Sequence, residues 1–158
     1  MSGLEFGSPR PRCRIFPSDP EIRQFCEEVV RNGRILDLEN SDGLPVFAPN
    51  RISVIPFWSS RRRVLSALRT MPEYAMYSVR EEFSDEFLET IIPWLEEQAI
   101  HIGVNWSGEN PVRCLVSAHD LLVGLQLCCE AHELENEFHR IRAPAKSCVG
   151  RSISIRIL

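Results

Sequence analysis

The stretch Arg34–Phe57, RILDLENSDGLPVFAPNRISVIPF, decides the fold class. Arg34 to Glu39 reads as a strand. Asn40-Ser41-Asp42-Gly43 reads as a tight turn, because Asn, Asp and Gly accept the backbone angles that hairpin turns demand. Leu44 to Ala48 then returns as a second strand, so the first strand is predicted to pair with its neighbour in sequence. After Pro49-Asn50, the segment Arg51 to Phe57 carries Ile52, Val54 and Ile55 and reads as a third strand. Pro56 is expected at the end of that strand, since proline cannot donate to a central ladder.

Working outward, a helix precedes this stretch. Ser18 or Asp19 can cap it, and Pro20 suits its first turn. Ile22, Phe25, Cys26, Val29 and Val30 fall on one face, and Gly33 ends the helix. On the other side, Ser59 or Ser60 caps a helix Arg61 to Thr70, with Val64, Leu65 and Leu68 inward, stopped at Met71-Pro72. Tyr74 to Val79 reads as a strand. A helix Asp85 to Gln98 follows, with Phe87, Leu88, Ile91, Ile92 and Leu95 on its apolar face. Pro93 falls inside it and must kink or restart it. Ile100 to Trp106, a turn at Ser107 to Asn110 and Val112 to Val116 read as a hairpin. Ser117 caps a last helix from Ala118 to about Arg142, with Pro144 beyond it.

Hairpins and helices mix here without a regular βαβ repeat. The expectation is an α+β fold, an antiparallel sheet built from hairpins with helices packed mainly on one face. Residues 1–17 read as a flexible lead and 18–142 as one domain. Residues 143–158 read as a basic tail that either adds an edge strand or stays loose.

The 158 residues, 44% of them hydrophobic, suit one domain with a real core. A net charge of −4 argues against a dedicated nucleic-acid binder. No apolar run is long enough to span a membrane, and no secretory signal is visible at the N-terminus. The six cysteines show no Cys-x-x-Cys spacing, and Cys26, Cys114 and Cys129 fall at apolar positions. They read as free thiols of a reducing cytoplasm.

The modest total charge hides segregation. Glu73 to Glu109 holds nine acids and one base, a net of −8, whereas Arg51 to Arg69 holds five Arg and no acid. Arg140 to Leu158 holds five bases and no acid. Of the 18 basic residues, 17 are Arg.

Reaction signatures are missing. There is no glycine-rich phosphate loop, and Ser117, His119 and Asp120 sit where helix capping accounts for them better than catalysis does. Cys128, His132, Glu135 and His139 lie on one helical stripe, but one helix cannot wrap a metal ion with all four. No cofactor is expected. Trp58, Trp94 and Trp106 suit either packing or the rim of a groove.

Three blocks in the middle of the chain resemble a known family. They are Ile55-Pro56-Phe57-Trp58-Ser59, then Asp85-Glu86-Phe87-Leu88-Glu89 with Ile92-Pro93-Trp94-Leu95, then Ile102-Gly103-Val104-Asn105-Trp106. Their order and spacing are similar to those of a family of small bacterial proteins catalogued as a domain of unknown function, twenty-seven fifty in its series. The resemblance covers about residues 22–126 and departs in the order Ile92-Pro93-Trp94-Leu95. It implies a compact bacterial intracellular domain and assigns no catalytic residue.

The acidic region is then the feature with the clearest functional content. Glu81, Glu82, Asp85, Glu86, Glu89, Trp94, Glu96 and Glu97 are expected to form a surface for a basic protein partner. A small α+β domain of this kind suits a bacterial immunity protein that blocks a cognate toxin. That step is analogy with other small domains. The alternatives are a small enzyme or metal protein, or a nucleic-acid accessory domain using Arg61-Arg62-Arg63 and the basic tail.

Overall fold

The structure, a computed structural model, describes residues 19–107 and 114–142. The expected N-terminal lead, the tip of the last hairpin and the tail after Arg142 lie outside the described residues.

Helix α1, Pro20–Asn32, begins and ends on its local signals. The Asp19 carboxylate accepts the Glu21 N–H at 2.8 Å, satisfying one donor that the first turn leaves open. Gly33 closes the helix at φ 67, a left-handed angle that a Cβ would penalise. Ile22, Phe25, Cys26 and Val29 are buried along one face, as their spacing predicts.

Strand β1, Arg34–Glu39, follows at once, but its partner is not the next segment. Asn40 and Gly43 do form the expected turn, bonded to each other at 3.1 and 3.0 Å. Leu44 to Ala48 then leaves β1, and its one bridge joins Phe47 to Val54. Instead β1 pairs antiparallel with β3, Ser78–Phe83, a strand that starts four residues later than the Tyr74 expected from sequence. The reason lies at Asp37, in the middle of β1 and 1% exposed. Its cross-strand partner on β3 is Arg80, which donates from Nε and Nη2 to the two carboxylate oxygens at 3.0 and 2.8 Å. Leu44 to Ala48 has no base to offer a buried carboxylate, and Pro45 removes a backbone donor.

Strand β2, Val54–Phe57, is shorter than expected and carries Pro56 inside it rather than at its end. Val54 faces Phe47 and Trp58 faces Leu36 across two separate bridges on one edge. Pro56 points to the same edge, between those bridges, where no donor is required. The other edge of β2 pairs in parallel with β4, His101–Val104, and β4 pairs antiparallel with β5, Leu115–Val116. The α+β class holds. The parallel β2–β4 pair replaces one of the expected hairpins. The Leu36–Trp58 bridge, bonded at 2.9 and 2.8 Å, joins β1 to the end of β2.

Helices α2 (Arg61–Thr70) and α5 (Ala118–Arg142) match their predicted spans. The Ser60 hydroxyl caps α2 and the Ser117 hydroxyl accepts the Asp120 N–H at 3.1 Å. The acidic helix is broken into three parts: α3, Ser84–Glu86, a π-helical turn Phe87–Ile91, and α4, Ile92–Glu97. Pro93 sits in the first turn of α4, so the chain restarts there, and the wider turn before it absorbs the donor that proline lacks.

Strand alternation divides the core. Ile35, Ile55, Phe57, Ile102 and Val104 pack with residues of α1, α4 and α5. Leu36, Leu38, Val54 and Trp58 pack on the other side with Val64 and Ala67 of α2, with Tyr74 and with Trp106. Three helices thus cover one side and α2 the other. On α5 the buried stripe is Leu121, Leu125 and Cys128, so Cys128 faces inward and the adjacent Cys129 is only half-buried, the reverse of the expected order. Among the described residues Cys26, Cys114, Cys128 and Cys129 form no disulfide with one another. Among the described residues no helix is long and apolar enough to cross a membrane.

Candidate functional site

The parallel register puts Phe57 opposite Val104, so the chain leaves β2 and β4 at the same end of the sheet. Trp58-Ser59 and Asn105-Trp106 therefore emerge side by side. The Trp58 indole donates to the Trp106 carbonyl at 2.8 Å, and the Trp106 indole donates to the Cys114 carbonyl at 3.3 Å. Both rings are buried, which settles them as packing residues. Gly103 lies under the Trp106 ring, where any Cβ would fall within 2.8 Å of three ring atoms. The glycine is there so that the indole can lie on the strand.

Ser59 and Asn105 form a polar joint beside these rings. The Ser59 N–H donates to Asn105 Oδ1 at 3.0 Å, and Asn105 Nδ2 donates back to Ser59 Oγ at 3.1 Å. Asn105 holds a positive φ of 50, which asparagine tolerates better than most residues. The Ser59 hydroxyl donates to Glu28 Oε2 in α1. Arg63, from the first turn of α2, donates to the same carboxylate from Nε at 3.1 Å and from Nη2 at 2.9 Å. Gln24 Nε2 adds a further donor at 3.1 Å. These donors, led by Arg63, hold the Glu28 carboxyl below its ordinary range.

The joint borders a cleft of about 480 Å³ between α1 and α2. One wall is the stripe Gln24, Glu28 and Asn32, spaced four residues apart on α1. The other is Arg62, Arg63 and Ser66 of α2, with Asn105 at the end. Covalent catalysis does not suit this arrangement. Ser59 is 1% exposed, and Glu28, held ionised by a forked guanidinium, is a poor base. The arrangement can present hydrogen bonds and positive charge to a bound molecule.

The residues singled out from sequence are dispersed more than a linear acidic block suggests. Glu81 lies 3.6 Å from Arg34, and Glu82 lies 2.6 Å from Arg80, so both serve the β1–β3 seam. Burial raises the Glu82 carboxyl above its usual range. Asp85, Glu86, Glu89, Trp94, Glu96 and Glu97 are exposed on α3, α4 and the turn between them. Glu96 is 3.7 Å from His119. Asp85 shares its surroundings with Glu130 and Glu133 of α5, since all three act on the Cys129 thiol and push it up, after burial.

The helical stripe of metal-type residues is not gathered. Cys128 turns inward to Cys26, whose thiol it pushes up by hydrogen bonding, while His132 and Glu135 are exposed along a smaller cleft of about 220 Å³. Among the described residues, the metal-type side chains that come together are Asp19, Glu21 and Cys114, with donor atoms within 4.8 Å of one another. All three already have local duties: Asp19 caps α1, and Glu21 accepts the Cys114 thiol.

Two of the three blocks that resemble a known family, the ones containing Ser59 and Asn105, converge in this joint. The family model described as Protein of unknown function (DUF2750) matches residues 22–125. The chain belongs to the DUF2750 family. The match runs from the first turn of α1 to the buried half of α5 and takes in Glu28, Ser59, Arg63 and Asn105. No curated protein and no solved structure matches the chain.

The sequence reading missed the Glu28, Ser59, Arg63 and Asn105 joint. Its signal was the polar stripe Gln24, Glu28 and Asn32 beside the apolar face of α1, together with the Ser59 and Asn105 that end the two tryptophan blocks.

Proposed function

We propose that the chain is a non-enzymatic protein-binding domain whose acidic face takes a basic partner, and in its sharpest form a bacterial immunity protein that neutralises a cognate toxin. The observation that carries the reading is the set of exposed acids on one helical segment. Among the described residues Asp85, Glu86, Glu89 and Glu97 form no ion pair, and Trp94 stands 40% exposed on the same segment. Unpaired carboxylates around an exposed indole provide long-range attraction and an apolar anchor together. Glu130 and Glu133 extend the same field from α5.

The test uses the intact chain and a basic toxin domain encoded beside its gene. Affinity is expected to fall as salt rises, and the combined Asp85→Lys, Glu89→Lys and Glu97→Lys variant is expected to lose binding while keeping its circular dichroism spectrum. Co-expression of the wild-type chain is expected to restore growth of cells carrying the toxin. Binding that the triple reversal leaves unchanged would overturn the acidic-face reading.

A further inference from the structure

We infer that the cleft between α1 and α2 is a binding site for a small phosphorylated sugar or polyol. The inference is independent of the acidic face and rests on the lining of the cleft. Every described side chain that borders its roughly 480 Å³ is polar or charged. That volume is in the range of small-molecule sites, which run from about 300 to 1,000 Å³. Such sites usually offer apolar or aromatic walls, and this one does not. Trp58 and Trp106 are turned into the core behind it. Among the described residues a nucleobase or a hydrophobic ligand would find nothing to stack on.

Charge selects the phosphoryl group. Glu28 and Arg63 neutralise each other through their forked pair. Arg62 lines the same cleft, and among the described residues it makes no ion pair. Among the described residues the cleft therefore carries one uncompensated guanidinium, whose planar fork matches phosphate oxygens. Gln24, Asn32 and Asn105 offer amides, and Ser60 and Ser66 offer hydroxyls. Amides and hydroxyls both donate and accept, as does each hydroxyl of a polyol. The Glu28–Ser59–Asn105 joint makes the end wall rigid, so little ordering is needed on binding.

Calorimetric titration of the intact chain with glucose 6-phosphate, ribose 5-phosphate and glycerol 3-phosphate tests this. Inorganic phosphate, glucose and adenosine monophosphate serve as comparisons. At least one of the three phosphorylated ligands is expected to bind saturably and more tightly than phosphate or glucose. Adenosine monophosphate is expected to bind no more tightly than ribose 5-phosphate, because its base gains no stacking contact. Arg62→Ala changes an exposed residue and is expected to weaken binding about tenfold or more, the loss of one charge-assisted contact. Glu89→Gln, on the acidic face, is expected to leave it unchanged. Failure of all three phosphorylated ligands, tighter binding of adenosine monophosphate than of ribose 5-phosphate, or unchanged binding by the Arg62→Ala variant would each overturn the proposal.

Discussion

Trp58 and Trp106 are separated by 48 residues, yet the indole N–H of the first donates to the backbone carbonyl of the second at 2.8 Å. This bond ties the end of β2 to the end of β4 and closes the core on the α2 side. Trp58→Phe removes the donor, leaves a buried carbonyl without its partner and opens a void. The expected loss is about 2–3 kcal/mol in urea unfolding. A loss below about 0.5 kcal/mol, the size of an ordinary surface change, would show that the bond does not hold the sheet end.

Gly103→Ala tests the close approach of strand and ring. Three atoms of Trp106 lie within 2.8 Å of the position a Cβ would take, so the indole must move. Overpacking of this kind costs about 1–3 kcal/mol. Displacement of the ring should also alter tryptophan fluorescence. A variant with wild-type emission and stability would contradict the packing described.

Arg80 is the cation at the centre of the β1–β3 seam. It lies 2.8 Å from Asp37, 2.6 Å from Glu82 and 3.8 Å from Glu39. Arg80→Met strands a buried carboxylate, and breaking such a pair costs about 3–5 kcal/mol at neutral pH. The deficit should shrink in acid, where protonation discharges Asp37 and Glu82. Denaturation midpoints of wild type and variant across pH check both parts, and a deficit that grows in acid would refute the account.

Glu28 should contribute to the acid limb of stability. Its folded-state pKa lies below its ordinary 4.5, chiefly because Arg63 donates to it. The stabilisation is fully present above the unfolded value. It is lost as pH falls from there through the folded value, because the unfolded chain takes up the proton first. Glu28→Gln removes this group, so its stability should fall less steeply below about pH 4.5. Parallel acid limbs for the two proteins would show that the Arg63 pair does not act on the carboxyl.

Much of the fold was legible because helix ends are local events. Asp19, Gly33, Ser60 and Ser117 announced their caps within four residues of the groups they satisfy. The apolar faces of α1 and of the acidic segment were equally local. Strand pairing was not. The alternation in Arg34–Glu39 says which face of a strand is buried and nothing about its neighbour, and the turn at Asn40–Gly43 pointed to the wrong one. The candidate cleft was hidden for the same reason: Glu28, Ser59, Arg63 and Asn105 span 77 positions of chain, and no short motif contains them.

By itself the sequence determined the ends of α1 and α2, the start of α5, the α+β class and the segregation of charge, all properties of short windows or of composition, and the order of its blocks pointed to the family. Tertiary structure alone decided that β1 pairs with β3, that β2 and β4 run parallel, and which acids remain free. Asp37 shows why: a buried carboxylate needs a cation, and the nearest suitable one in space, Arg80, lies 43 residues away in the chain. Such a requirement is met only when the whole chain closes on itself.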